Sequence, residues 1–128
     1  MKDGRLISCS GDCTINIYEK YTFKLQCSIK EHSSHVSSIN QLNNGKIISC
    51  SWDYTMKIIK LNKLNDEKKY DLEQTLSGHT CHVMNPIEIR DNEIISFSRD
   101  TNMKKLELKI MNLNVTSKNQ AQIVIFWR

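Results

Sequence analysis

Four histidines, and the acids and serines near them in the chain, are the side chains with the means to do chemistry. His32 and His35 lie three residues apart, His79 and His82 repeat that spacing, and Cys81 stands beside the second pair. Two imidazoles and a thiolate are zinc-ligand types. On strands and loops, however, residues three apart do not meet on one face as they do on a helix. The spacing therefore builds no metal centre, and none is expected. The same histidines can be grouped with Ser49 and Asp53, or with Ser96 and Asp100, into Ser/His/Asp sets. Nucleophilic catalysis needs more: a serine exposed on a sharp turn, and donors for an oxyanion. No GxSxG segment accompanies these serines, and the four glycines, at 4, 11, 45 and 78, are too scattered to cradle a phosphate. The expectation is a protein with no catalytic residues and no cofactor.

What organises these residues is repetition. LISCSGDCTINIY (6–18), IISCSWDYTMKII (47–59) and IISFSRDTNMKKL (94–106) align without gaps, and each adjacent pair agrees at seven of thirteen positions. Chance would give about one match at ordinary residue usage. The offsets are 41 and 47 residues, and a shorter echo, EHSSHV (31–36) and GHTCHV (78–83), precedes the second and third copies. His32 lies 21 residues before Asp53, and His79 lies 21 before Asp100.

Each copy carries the same local plan. Ile47 to Ser51 alternates small and β-branched residues, as suits a pleated surface. A turn follows at Asp53, whose short carboxylate can bond nearby backbone N–H groups. Met56 to Leu61 reads as the next strand and Leu72 to Leu76 as another. Upstream, Val36 to Leu42 reads as a strand, and Asn43 to Lys46 as a hairpin turn with Gly45 supplying positive φ. Four short antiparallel strands per repeat result, and the chain reads as all-β. Residues 1–30 form a first unit lacking its innermost strand and 31–77 a second, with a polar surface insert at 62–69. Residues 78–128 form a third that turns irregular after 110. The run Ile123 to Trp127 reads either as a last outer strand or as an off-pattern terminus. Pro86, aligned with Ile39, is expected on a strand with a free edge.

A period of 41 to 47 with four strands, an early GH and an Asp 21 residues later resembles the WD-repeat family of β-propellers. The letters WD at 52–53 are not what carries the likeness. In that family the dipeptide ends the third strand, six or seven residues further on, where this chain has Tyr18-Glu19, Ile59-Lys60 and Leu106-Glu107. The resemblance implies a partial propeller of four-stranded antiparallel blades, a ring that this chain alone does not close. It reads as a piece of a longer propeller, as a truncated product, or as a chain that completes itself by self-association through open blade edges. It also implies a structural network of His, strand Ser and turn Asp: His32, Ser49 and Asp53; His79, Ser96 and Asp100; and, without a histidine, Ser8 and Asp12. The family's strand-end Trp is missing, so the networks should be shorter.

The function implied is a non-enzymatic scaffold for protein–protein contacts. Trp52 and Arg99, the residues before the turn Asp, are expected to stand on one face with His35 and His82 nearby. The competing reading is that Trp52 covers its own turn. The net charge is +4, with 18 basic and 14 acidic residues. The lysines are dispersed, which makes nucleic acid the alternative partner class rather than the first. No apolar stretch reaches the ~18 residues that span a bilayer, so no membrane partner is expected. Five cysteines with no CxxC pair and no visible export signal fit a cytoplasmic chain, or a nuclear one. Cys9 and Cys50, at the same repeat position, are expected to be small buried hydrophobes.

Overall fold

In the computed structural model, residues 1–63, 66–90 and 93–100 are described, together with the backbone of two further strands, 103–107 and 123–125. Eleven strands form three antiparallel sheets among the described residues. The first holds β1 (Leu6–Cys9), β2 (Ile15–Tyr18) and β3 (Leu25–Ile29). The second holds β4 (Val36–Gln41), β5 (Ile47–Ser51), β6 (Met56–Leu61) and β7 (Tyr70–Leu76). The third holds β8 (Val83–Arg90), β9 (Glu93–Ser98), β10 (Met103–Glu107) and β11 (Ile123–Ile125). Within each sheet the strands lie in chain order, and each pairs antiparallel with its neighbour. The described residues contain no helix, and three sheets leave the ring open.

The strand boundaries follow the turn chemistry. Leu42-Asn43-Asn44-Gly45 closes through the Gly45 N–H to the Leu42 carbonyl at 2.9 Å, and Leu42 N–H reaches the Lys46 carbonyl at 2.8 Å. This is a three-residue hairpin loop whose last member must be left-handed, and Gly45 sits there with φ of 87°. The strand expected to end at Leu42 thus ends one residue earlier, because Leu42 opens the turn. The outermost strand of the second sheet begins at Tyr70 rather than Leu72, where Asp71 and Tyr70 pair with Lys60 and Leu61. The polar insert lies between β6 and β7, tied at its base by Asn62 N–H to the Lys69 carbonyl at 3.0 Å. Pro86 sits where the β8–β9 register shifts between Met84 and Ile87, a place where a missing N–H breaks no ladder. Ile123–Ile125 is an edge strand against β10; the rest of the tail lies outside the described residues.

The sheets stack face to face. Ile15, Ile17 and Ile29 of the first meet Val36, Ile47 and Ile59 of the second. On the other side of the second sheet, Ile48, Cys50, Met56, Ile58 and Leu76 meet Val83 and Ile94 of the third. β5 is therefore buried at all five positions, which is why its sequence is an unbroken run of isoleucines and small residues. Near the inner end, β4 and β8 are tied by Ser37 Oγ to the Val83 carbonyl at 2.6 Å and Asn40 Nδ2 to the Pro86 carbonyl at 2.6 Å. Cys50 is fully buried, and burial pushes its thiol up to about 12. Cys9, expected to match it, is only half-buried, since no strand of its own sheet flanks the free edge of β1.

Gly45 gives a direct test of the turn. An added Cβ would meet no atom within 4 Å, so only the backbone conformation resists a side chain there. Gly45→Ala should lower stability by about 1 kcal/mol, read as a drop in the urea midpoint, with Gly45→Asn losing less.

Candidate functional site

The turn between the second and third strands of the second sheet is held by one carboxylate. Asp53 Oδ1 accepts the Thr55 N–H at 3.0 Å and the Thr55 hydroxyl at 2.6 Å. Its Oδ2 accepts His32 Nδ1–H at 2.7 Å and the Ser33 N–H at 3.1 Å. The other ring nitrogen, His32 Nε2, pairs with Ser49 Oγ at 2.8 Å, and Ser49 lies in the middle of β5. An ionised carboxylate can only accept, so Nδ1 carries the proton and, in the neutral ring, Ser49 donates to Nε2. One side chain thus joins three places: its own turn, the loop that enters the sheet, and a buried strand.

The third sheet repeats the arrangement. Asp100 Oδ2 accepts His79 Nδ1–H at 3.0 Å and the Thr80 N–H at 2.9 Å, and His79 Nε2 pairs with Ser96 Oγ at 2.8 Å. A second serine supports each turn from behind. Ser51 Oγ donates to the Ser34 carbonyl at 3.2 Å and receives the Asp53 N–H at 3.0 Å. Ser98 does the same with the Cys81 carbonyl at 3.1 Å and the Asp100 N–H at 3.2 Å.

The first sheet keeps only part of this. Asp12 accepts the Thr14 N–H and hydroxyl at 3.0 and 2.6 Å, and its own N–H reaches Ser10 Oγ at 3.2 Å. The structure does not join Ser8 to Asp12. With no histidine to bridge them, Asp12 stays in solvent and its network ends at its own turn.

Burial is the largest influence on both partners of the second sheet's pair. It pushes His32 below its ordinary value, against the pull of Asp53, and so favours the neutral ring. It also pushes Asp53 up, but the Thr55 and His32 hydrogen bonds together outweigh it and hold the carboxyl below the usual range. Asp12, out in solvent, is lowered by the Thr14 hydroxyl.

The order Ser–His–Asp is that of a hydrolytic triad, present twice, but the chemistry is closed off. Ser49 and Ser96 are 0% exposed, so no substrate reaches either hydroxyl. Both nitrogens of His32 and of His79 are already engaged, which leaves no lone pair for a metal. Among the described residues no three His, Cys, Asp or Glu side chains converge as a metal site. A groove of about 520 Å³ runs between β3 and β7 past Cys27, Glu31 and Tyr70, and Tyr70 Oη donates to Glu31 Oε1 at 2.9 Å. That bond engages Glu31, one of two acids lining the groove, and burial together with Glu31 pushes Tyr70 up to about 12.

On the surface above the turns lies a second constellation. Trp52 stacks on His35 of its own sheet, centroids 4.5 Å apart and planes 12° off parallel. Its other side stacks on His82, which enters the third sheet, at 4.4 Å and 4°. Tyr54 lies 6.0 Å from His82. Backbone bonds set the register: Trp52 N–H to the His35 carbonyl at 2.9 Å, and Arg99 N–H to the His82 carbonyl at 3.1 Å. Trp52 therefore bridges two sheets instead of covering its own turn. The same seat in the first sheet is Gly11, where an added Cβ would come within 3.0 Å of the His35 ring. Arg99 stands exposed at the third turn. His82 Nδ1 is buried with no hydrogen-bond partner among the described residues.

Residues 23–60 match the family model of the WD domain, G-beta repeat. The sheets are similar to the blades of a WD40 β-propeller. A crystal structure of the WD40 β-propeller domain of Doa1 superposes with a TM-score of 0.67 at 29% identity, over 80% of this chain and 32% of that one. The chain thus spans about a third of that domain's length. No curated protein matches the sequence. The WD match begins two residues before the outermost strand of the first sheet and ends in the third strand of the second, so the sequence repeat straddles two sheets. Where the family's strand-end Trp would extend the network, Ile59 fills the position with core packing, and the bonds stop at Ser49.

Sequence reasoning located the histidines, serines and aspartates that meet, but it missed several of their partners. Thr55 and Thr14 follow their aspartates by two residues in both copies, a spacing legible in SxSxDxT. The resemblance placed His35 and His82 near Trp52, but their stacking on its ring had no such signal, because it depends on how adjacent blades are placed.

Removing the carboxylate should cost about 1–3 kcal/mol, because it strands a buried imidazole and two N–H groups. Asp53→Ala and Asp100→Ala should each melt well below Asp66→Ala and Asp71→Ala, and equal melting temperatures for the four would show that the turn acids bear no special weight. The pH dependence has a definite sign. Below the ordinary histidine value of 6.5 and above the lowered folded value, the unfolded chain binds more protons than the folded one. Stability therefore falls as pH drops through that window, and Asp53 adds a further loss as pH falls from 3.8 through its own lowered value. In urea titrations across pH, His32→Gln should flatten the part of the profile just below 6.5.

Proposed function

We propose that this chain is a non-enzymatic scaffold that captures a protein partner on the blade face carrying Trp52. The supporting observation is the His35–Trp52–His82 stack. It holds a tryptophan that is still 39% exposed in one orientation, with Tyr54 and Arg99 exposed alongside. Trp, Tyr and Arg are the residue types that dominate binding energy at protein interfaces, and they do so most when held rigid before the partner arrives. The buried networks beneath serve as positioning elements: Asp53 sets the turn on which Trp52 and Tyr54 are carried. The family resemblance supports a protein partner, and the five free cysteines fit a reducing compartment, cytoplasmic or nuclear.

The double variant Trp52→Ala with Arg99→Ala should lose at least about tenfold in partner capture, the scale of one hot spot. Its unfolding free energy should stay within about 1–1.5 kcal/mol of the parent, the worth of the lost stacking. A pull-down profile indistinguishable from the parent's would remove this face from the function.

A further inference from the structure

The His35–Trp52–His82 stack lies between the second and third sheets, and its chemistry narrows the class of partner. Imidazole rings cover both faces of the indole, with planes 12° and 4° off parallel. A cation seeks the open face of an aromatic ring, and Trp52 has none to offer. What it leaves in solvent is its edge, the electropositive rim of the ring, where Nε1–H lies. That donor has no hydrogen-bond partner among the described residues, nor has the Tyr54 hydroxyl. His82 Nδ1 is buried beside the indole, also without a partner. The acids that could have answered these groups are engaged below. The side chains of Asp53 and Asp100 are only 9% and 5% exposed, and both accept bonds from their own loops. Arg99 adds a fixed positive charge at the next turn, its N–H on the carbonyl of the same His82.

Tyr54 is set apart by its backbone. Its φ is 70°, in the left-handed region, at the seat that Cys13 fills in the first sheet with φ of 72°. The N–H of each closes its turn, Tyr54 onto the Ser51 carbonyl and Cys13 onto the Ser10 carbonyl, both at 3.3 Å. The turn therefore imposes this conformation on whatever residue it carries. Glycine fits such a seat without strain, as Gly45 does in the neighbouring hairpin. A bulky aromatic held there, 46% exposed, is strain of the kind that gathers at functional positions.

Resting on capture of a protein by the Trp52 face, we propose that the captured segment is an acidic peptide. A carboxylate accepts from the edge of the stack, and an adjoining apolar side chain lies on Tyr54. A phosphate backbone is the poorer match, since tracking it takes a stripe of Lys and Arg. The three equivalent turn seats, Gly11, Trp52 and Arg99, hold one cation between them.

An array of short peptides containing Phe or Leu, probed with the full chain, tests this. Each peptide is spotted in an acidic form with Asp and Glu, an amide form with Asn and Gln, and a lysine form, beside single-stranded RNA. Retention on the acidic forms should exceed that on the amide forms at least about tenfold, the scale of one hot spot. Trp52→Phe keeps a ring in the stack but removes Nε1–H, and should lower retention on the acidic forms. Tyr54→Gly should weaken retention with a urea midpoint no lower than the parent's, a combination that a purely structural tyrosine would not give. Retention that Trp52→Ala abolishes but that is equal on acidic and amide forms, or stronger on lysine forms, would overturn the acidic partner and leave capture by this face standing. Preference for the RNA, or no retention that depends on Trp52, would overturn both. A Tyr54→Gly variant that melts lower and captures like the parent would overturn the role given to Tyr54.

Discussion

The charged turn aspartate, buried beneath its own loop, is the constraint from which the rest of this structure follows. A carboxylate that is nearly out of water must find donors for both oxygens. Asp53 finds four, drawn from the turn, the entering loop and, through His32, the central strand. Because those donors lie far apart in sequence, satisfying one ion fixes a hairpin, a loop and a strand at once. Neutral His32 suits this role. It donates to the acid on one side and accepts from a serine on the other, so no uncompensated charge enters the core. What resembles catalytic machinery is thus a rivet, its hydroxyl sealed inside a sheet.

Much of this was legible because the repeat reports on itself. Two copies of the His–Asp spacing, 21 residues each, tie a loop to a turn without any knowledge of the backbone. Strand periodicity and Gly45 located the hairpins to within a residue or two. The exceptions have local physical causes. Leu42 reads as strand but opens a turn, and Tyr70 pairs in a strand although it borders a polar insert. Cys9 matches Cys50 letter for letter but lacks the flanking strand that would bury it. His35 and His82 were expected near Trp52, but the ring-on-ring geometry of the stack was out of reach for a different reason. It forms between blades, where the governing quantity is the rotation from one sheet to the next, and no pattern within a single repeat encodes that.

The two layers of the site divide the labour by depth. Below, hydrogen bonds with fixed partners set backbone geometry. Above, rings in van der Waals contact present a broad apolar surface without needing water excluded from charged groups. Gly11, Trp52 and Arg99 occupy equivalent seats with very different side chains, while the acids beside them do not change. The frame tolerates this variety because the seat lies outside the bonded network: the Trp52 ring touches the entering histidines, not the carboxylate.

The mismatch between the sequence unit and the blade has a consequence for how such a chain can lengthen or shorten. The matched stretch takes its first strand from one sheet and the next three from its neighbour. Inserting one more unit at its own boundaries would hand an outer strand to the existing sheet and begin a new one, leaving no sheet short. Cutting at the visible edge of a blade would instead divide a unit. The fold can therefore be counted out in whole periods of the gene, while any excision guided by its shape alone would fray the rim.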